Sequence, residues 1–192
     1  LHPLWDSVFL PVFFLLSAIF AGISMVIFES TITHKVFRRQ LKDFDQERFD
    51  KQTIGLGKAA ASGLFIYFIL KIFDLAHSNN WAYLNTPYGY WYLVEVLGFV
   101  LLPALLFVHA ARKSKAKLVR FTGFLTVLGV ILNRLNVSII AYNWYIPFSQ
   151  KYYPAWTEIA LSAGVVTMLV LAYRFIVNRM AIMYDHPDYE SV

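Results

Sequence analysis

Ionisable side chains stand where the rest of the sequence is apolar, and these are the groups with chemistry to offer. Lys71 and Asp74 are three residues apart, so a helix places them on one face. Glu95 sits in the segment WYLVEV, Arg134 is flanked by Asn133 and Asn136, and Glu158 closes the run YYPAWTE. A charge at mid-bilayer costs ~2.5–3.5 kcal/mol even on the lenient insertion scale, so each such group needs a partner or a task. At ~1.5 Å per helical residue, Arg134 lies ~14 Å inward from Asn143, and Glu95 lies ~9 Å inward from Gly89. Lys71, Asp74 and Glu158 sit shallower on the same side. The sequence therefore predicts one polar cluster of two cations and three carboxylates, close to neutral as burial demands.

Two chemistries fit that cluster. In one, it is a static salt-bridge network that fixes helix register, with Arg134 paired to Glu95 or Asp74. In the other, it is a protonatable relay or the wall of a polar pocket, the usual meaning of ionisable groups inside a membrane. At the opposite depth, Glu29 and His109, with Lys58 near them, form a candidate inner proton port. Charges at helix ends also snorkel to headgroups at little cost, which is the plainer reading of that port.

These residues are positioned by apolar runs of about 20 residues, the length that crosses a hydrocarbon core of ~30 Å as a helix. Five runs qualify, near 8–29, 54–75, 90–111, 118–141 and 156–177. Backbone groups in lipid must bond internally, and runs lacking strict alternation satisfy this as helices and not as barrel strands. The composition agrees: 58% of the 192 residues are hydrophobic, 15% are charged and 18% are aromatic. The expected fold is an all-α integral membrane bundle of about five transmembrane helices, a single domain across the chain.

Lys35, Arg38, Arg39, Lys42, Arg48 and Lys51 fall in the loop 30–53, and Arg112, Lys113, Lys115 and Lys117 fall after the third run. The connection 77–89 has no Lys or Arg. The positive-inside rule then places the loop 30–53 and the C-terminus in the cytoplasm and Leu1 on the other side. Within that loop Val36, Phe37, Leu41, Phe44 and Phe49 have helix-like spacing, which suits either an interfacial helix or a solvated linker. Gly55, Ala59 and Gly63, at four-residue spacing, predict a close helix approach. Trp81, Tyr83, Trp144 and Tyr152 lie between the runs, either as a partner-docking surface or as an interfacial belt.

Several classes of function drop out. The absence of cysteine removes disulfides and cysteine-held iron–sulfur clusters. His2, His34, His77, His109 and His186 are all near run ends or outside them, so no bis-His pair for haem forms at mid-membrane. No metal site and no catalytic residue is expected, because the Walker A, GxSxG and HExxH patterns are missing. The net charge of +5 follows the membrane topology and needs no nucleic acid. The chain begins at Leu1 without an initiator Met and reads as a segment of a longer protein.

In order along the chain, HPLWDS (His2 to Ser7), MVIFES (Met25 to Ser30), WYLVEV (Trp91 to Val96), NRLNVS (Asn133 to Ser138) and YYPAWTEI (Tyr152 to Ile159) resemble the C-terminal half of NrfD/PsrC-like membrane subunits. The likeness is greatest to the HybB type, the so-called cytochrome b subunit that accompanies nickel–iron hydrogenases. By analogy, this implies the second half of a roughly ten-helix subunit of the bacterial cytoplasmic (inner) membrane. Such a subunit anchors a periplasmic iron–sulfur electron-transfer protein and a hydrogenase or multihaem-type catalytic subunit. It exchanges electrons with membrane quinone, such as menaquinone, and is linked to proton translocation. The resemblance implies that quinone is bound mainly by the half preceding Leu1, and that the subunit itself holds no haem. Glu29, Asp74, Glu95, Arg134 and Glu158 fall where the family has polar residues, whereas Lys71 matches only in charge. The rival from another class is a secondary transporter or ion channel using the charged cluster. Pro103 interrupts the third run, but paired helix breaks are missing. A third reading has this half bracing the quinone half alone.

Overall fold

The computed structural model describes residues 1–36, 45–147, 150 and 154–180, and the chain forms two units. Five helices are long and apolar enough to cross a membrane: α1 (Leu10–Val36), α2 (Gln46–His77), α3 (Pro87–Arg112), α4 (Ala116–Ala141) and α5 (Trp156–Arg179). The first unit comprises Leu1–Ile32 and Asp45–Ile146 and so contains α1 to Ile32 together with α2, α3 and α4. The second comprises Thr33–Phe44 and Pro147–Val192. In it, the Thr33 hydroxyl and the Tyr173 hydroxyl are hydrogen-bonded at 3.3 Å, and Glu158 lies in the first turn of α5.

Helix ends follow local chemistry. Asp45 caps α2, its carboxylate accepting from the backbone N–H of Glu47 at 2.9 Å and of Arg48 at 3.2 Å. At the far end Asn79 is left-handed (φ 52°) and opens a 3₁₀ helix, Asn80–Asn85. Thr86 then caps α3 by accepting from Gly89 N at 3.1 Å, with Pro87 in the first turn. Gly89 is obligatory there: a Cβ would lie 2.3 Å from the Tyr83 carbonyl oxygen.

The first two helices extend further into the loop than hydropathy predicts. Val36 is the last residue of α1, and Phe49 belongs to the first turns of α2, so neither is part of a separate interfacial helix. Helix propagation, once nucleated, continues past the hydrocarbon edge while side chains are compatible with it. Phe37, Leu41 and Phe44 lie outside the described residues.

Two helices change pitch. α3 widens to π-helix over Val94–Leu101, and α4 does so over Asn136–Ala141. The π segment of α3 ends two residues before Pro103, which has no N–H to offer the carbonyl four residues earlier, at Phe99. α4 closes on that point through Gly129, where a Cβ would lie 2.9 Å from Phe99 Cβ and 3.0 Å from its carbonyl oxygen.

The core of the first unit has two parts. One joins Phe13, Phe20 and Ile27 of α1 to Leu64 and Tyr67 of α2, Phe107 of α3 and Val119 of α4. The other gathers Leu4 and Trp5 with Leu75, Tyr92, Val96, Val137 and Ala141. Close approach on α2 occurs at Gly57, where a Cβ would meet Val119 at 2.7 Å, and at Gly63, which faces Phe20 at 3.3 Å. Gly55 has nothing within 4 Å and Ala59 is exposed, so the four-residue stripe predicted from sequence is not the contact face. The helix rotates Gly57 inward instead, and only Gly63 of the stripe reaches a neighbour.

Candidate functional site

The segment HPLWDS folds as a cap on one end of the first unit. The backbone N–H groups of Trp5 and Asp6 both donate to the His2 carbonyl at 2.9 Å, forming a tight turn. His2 N donates to Ala141 O at 2.9 Å, and Asn80 Nδ2 donates to Pro3 O at 2.8 Å, which fastens the turn to the end of α4 and to the 3₁₀ helix. From this anchored turn Trp5 points into the helices and is 1% exposed.

Trp5 ends on Glu95. Its Nε1 donates to Glu95 Oε2 at 3.1 Å; Asn136 Nδ2 donates to the same oxygen at 2.5 Å, and Asn133 Nδ2 donates to Oε1 at 2.6 Å. Glu95 is buried, at 2% exposure. It lies in the π segment of α3, and Asn136 opens the π segment of α4, so the two widened turns present the carboxylate and one of its donors to each other. π turns of this kind recur at functional sites.

The two amides are held differently. Trp91 Nε1 donates to Asn136 Oδ1 at 3.0 Å, which fixes the Asn136 amide with its NH2 toward Glu95. The Asn133 amide makes only the bond to Glu95 among the described residues. Rotating it would replace a donor by an acceptor at Glu95 Oε1, the exchange that a protonated carboxyl requires.

Asp74, Lys71 and Arg134 lie in the same unit and make no ion pair or hydrogen bond with Glu95 among the described residues. Asp74 Oδ1 accepts from Ser7 Oγ at 2.6 Å, and Ser7 Oγ accepts from Phe9 N at 3.0 Å. Lys71, at 4% exposure, holds its Nζ 4.5 Å from the Phe13 ring centroid, 5.6 Å from Tyr92 and 5.8 Å from Tyr67. Tyr92 in turn meets Trp5 edge-on at 5.6 Å, so aromatic rings connect the ammonium to the indole that binds Glu95. Arg134 stacks over Phe14 at 3.7 Å and donates through Nη2 to Phe14 O at 3.2 Å and Ser17 Oγ at 2.9 Å.

The expected ion pairs of Arg134 with Glu95 or Asp74 are thus replaced. Neither these two carboxylates nor Lys71 and Arg134 form an ion pair among the described residues. The carboxylates take neutral donors, and each cation takes the face of an adjacent α1 phenylalanine, which satisfies charge while leaving the geometry of each group independent. Glu158 belongs to the second unit, where its carbonyl accepts from Ser162 Oγ at 2.9 Å.

Of the predicted aromatic surface, Trp81, Tyr83 and Trp144 are exposed near the cap, and Tyr152 lies outside the described residues. Tyr83 and Trp144 converge on His2, with ring centroids 6.1 Å and 5.1 Å away; Trp5 and Tyr88, each at 5.2 Å, complete the cage. Leu4 N donates to His2 Nδ1 at 3.2 Å, and burial pushes the imidazole below its usual value of 6.5. At the opposite end His109 and Lys58 are exposed, and Glu29 is half-buried on α1.

Sequence reasoning missed His2, Trp5, Ser7 and Trp91 as members of the site. The available signal was HPLWDS itself, a polar and aromatic word before an apolar run, with an indole donor and a hydroxyl that a buried carboxylate can use.

The same stretch carries the similarity to known proteins. A family model described as "Polysulphide reductase, NrfD" matches residues 1–146, which include the cap, both π turns and every donor to Glu95. The chain belongs to the NrfD family. The chain is 46% identical over 191 residues to a protein of Nitratidesulfovibrio vulgaris strain Hildenborough, covering 100% of this chain and 49% of that protein. It is 28% identical over 199 residues to the probable Ni/Fe-hydrogenase 2 b-type cytochrome subunit of Escherichia coli K12, covering 99% of this chain and 48% of that subunit. It thus spans about half the length of these curated relatives. No solved structure matches it.

Proposed function

We propose that this chain is part of a membrane-anchor subunit of a respiratory oxidoreductase. The subunit links a periplasmic iron–sulfur and hydrogenase-type partner to the quinone pool, and this half supplies scaffold and a proton path. Similarity to a hydrogenase b-type subunit supports the redox setting. The observation that carries the role of this half is the shell of Glu95, whose donors serve a carboxylate and whose Asn133 amide has no second hydrogen bond among the described residues to hold it against turning.

In this reading Glu95 takes a proton on Oε1 as Asn133 turns its Oδ1 toward the new O–H, and it releases the proton when the amide turns back. Trp5 and Asn136 hold Oε2 throughout. Among the described residues Lys71 forms no ion pair that would lock Glu95 as the anion. Electrons do not pass through these residues; quinone is bound mainly by the other half of the subunit, and the exposed aromatics around His2 face the periplasmic partner.

The test is made on the purified intact complex. We expect bound quinone and electron transfer from the periplasmic donor that depends on added quinone. A complex with neither would overturn the redox reading. A secondary transporter would use the π turns of α3 and α4 as its helix breaks. Solute flux through this subunit in liposomes, without redox partners, would favour that second reading.

A further inference from the structure

Opposite the cap, α2 and α3 part to leave a groove of about 410 Å³. Its walls are largely apolar, made by Ala61 and Phe65 of α2 and Val108 and Ala111 of α3, with Ser62 beside them spending its hydroxyl on the Ala59 carbonyl of its own helix. Lys58 and Arg112 also line it, one from each helix. The two alanines leave the hollow, and Phe65 and Val108 give it a hydrocarbon-like surface.

The depth is that of a membrane boundary. Arg112 is the last residue of α3, and Lys58 lies ~18 Å along α2 from Gln46 at 1.5 Å per residue. α2, with 32 residues, is ~48 Å long, so its first turns project beyond a hydrocarbon core of ~30 Å. Lys58 is therefore at the edge of the apolar layer, where its stem can lie along the groove and its ammonium can reach the headgroups.

Both cations are exposed, and neither has an ion pair among the described residues. Two carboxylates in the first turns of α2 are already paired: Asp50 with Arg120, and Glu47 with Lys51 at 2.9 Å. The wider hollow lined by Lys115, Lys117 and Arg120 contains Asp50 as well and is less selective for anions. At the groove between α2 and α3, two positive charges without an ion pair among the described residues stand over an apolar trough.

We infer that this groove binds an anionic phospholipid, with its headgroup phosphate between Lys58 and Arg112 and an acyl chain along Phe65 and Val108. Paired cations at the mouth of an apolar interhelical groove suit an acidic headgroup, and the Arg112 guanidinium can hold two phosphate oxygens at once. A neutral quinone would leave both charges uncompensated. The site is separate from the Glu95 shell and does not rest on the proton path.

Native mass spectrometry of the intact complex, delipidated and then exposed to vesicles, tests this. We expect phosphatidylglycerol to be retained at least tenfold more than phosphatidylcholine. Lys58→Gln with Arg112→Gln should abolish that preference, Lys58→Arg with Arg112→Lys should keep it, and Lys113→Gln with Lys117→Gln, in the adjacent turn, should leave it intact. Inorganic phosphate at the same concentration should not displace the lipid. Equal retention of the neutral lipid, loss of retention only with the Lys113 and Lys117 changes, displacement by phosphate alone, or a groove found covered by protein would each overturn the inference.

Discussion

Trp5 and Glu95, 90 residues apart in the chain, meet through a single indole N–H at 3.1 Å, which ties the surface cap to the buried carboxylate. Trp5→Phe keeps an aromatic ring but removes the donor and part of the indole's buried volume. A hydrogen bond to a charged group contributes about 1.5–3 kcal/mol, so we expect a lower melting temperature for the purified complex with assembly intact. An unchanged melting temperature would mean that the indole packs without bonding.

Arg134 depends on a flat guanidinium: it lies on the Phe14 ring and reaches two oxygens of α1. Arg134→Lys preserves the charge but not the stack, and we expect it to destabilise the complex nearly as much as Arg134→Met. Full rescue by lysine in a thermal melt would show that charge alone matters.

Gly57 and Gly55 separate packing from sequence pattern. Gly57→Ala pushes a methyl into Val119 at 2.7 Å and should cost about 1–3 kcal/mol. Gly55→Ala meets nothing within 4 Å and, by helix propensity, should be neutral or stabilising by up to about 1 kcal/mol. Thermal melts of the two variants measure the difference directly.

His2 predicts a pH dependence. Burial holds its folded value below the usual 6.5, so the unfolded chain takes up the proton first as the pH falls. The contribution is complete above 6.5 and is lost as the pH drops toward the lower folded value. Stability should therefore fall across that window, and His2→Gln should flatten the slope. An unaltered slope in the variant would assign the dependence elsewhere.

Hydropathy reveals the five spans because length and backbone satisfaction in lipid leave few choices, and the residues with chemistry stand out against the apolar background. Their partners were less legible. Lys71, Asp74, Glu95 and Arg134 suggest ion pairs when only charges are counted, yet each is satisfied by a ring, hydroxyl, amide or indole whose position depends on helix rotation. The π turns shift that rotation at Glu95 and Asn136, and no residue pattern announces them apart from Pro103. The cap was missed because Trp5 and Ser7 precede the first span and look like loop residues until the chain turns back.

The most direct measurement is proton uptake coupled to quinone turnover by the intact complex in liposomes, with Glu95→Gln. Glutamine can keep its oxygen toward Trp5 and Asn136 while Asn133 turns its own oxygen to the new amide, so folding and assembly should persist. We expect an assembled complex whose proton-coupled turnover falls at least tenfold. An assembled complex with undiminished proton uptake, or failed assembly with normal turnover in whatever complex remains, would contradict the proton role and leave Glu95 as a structural tie.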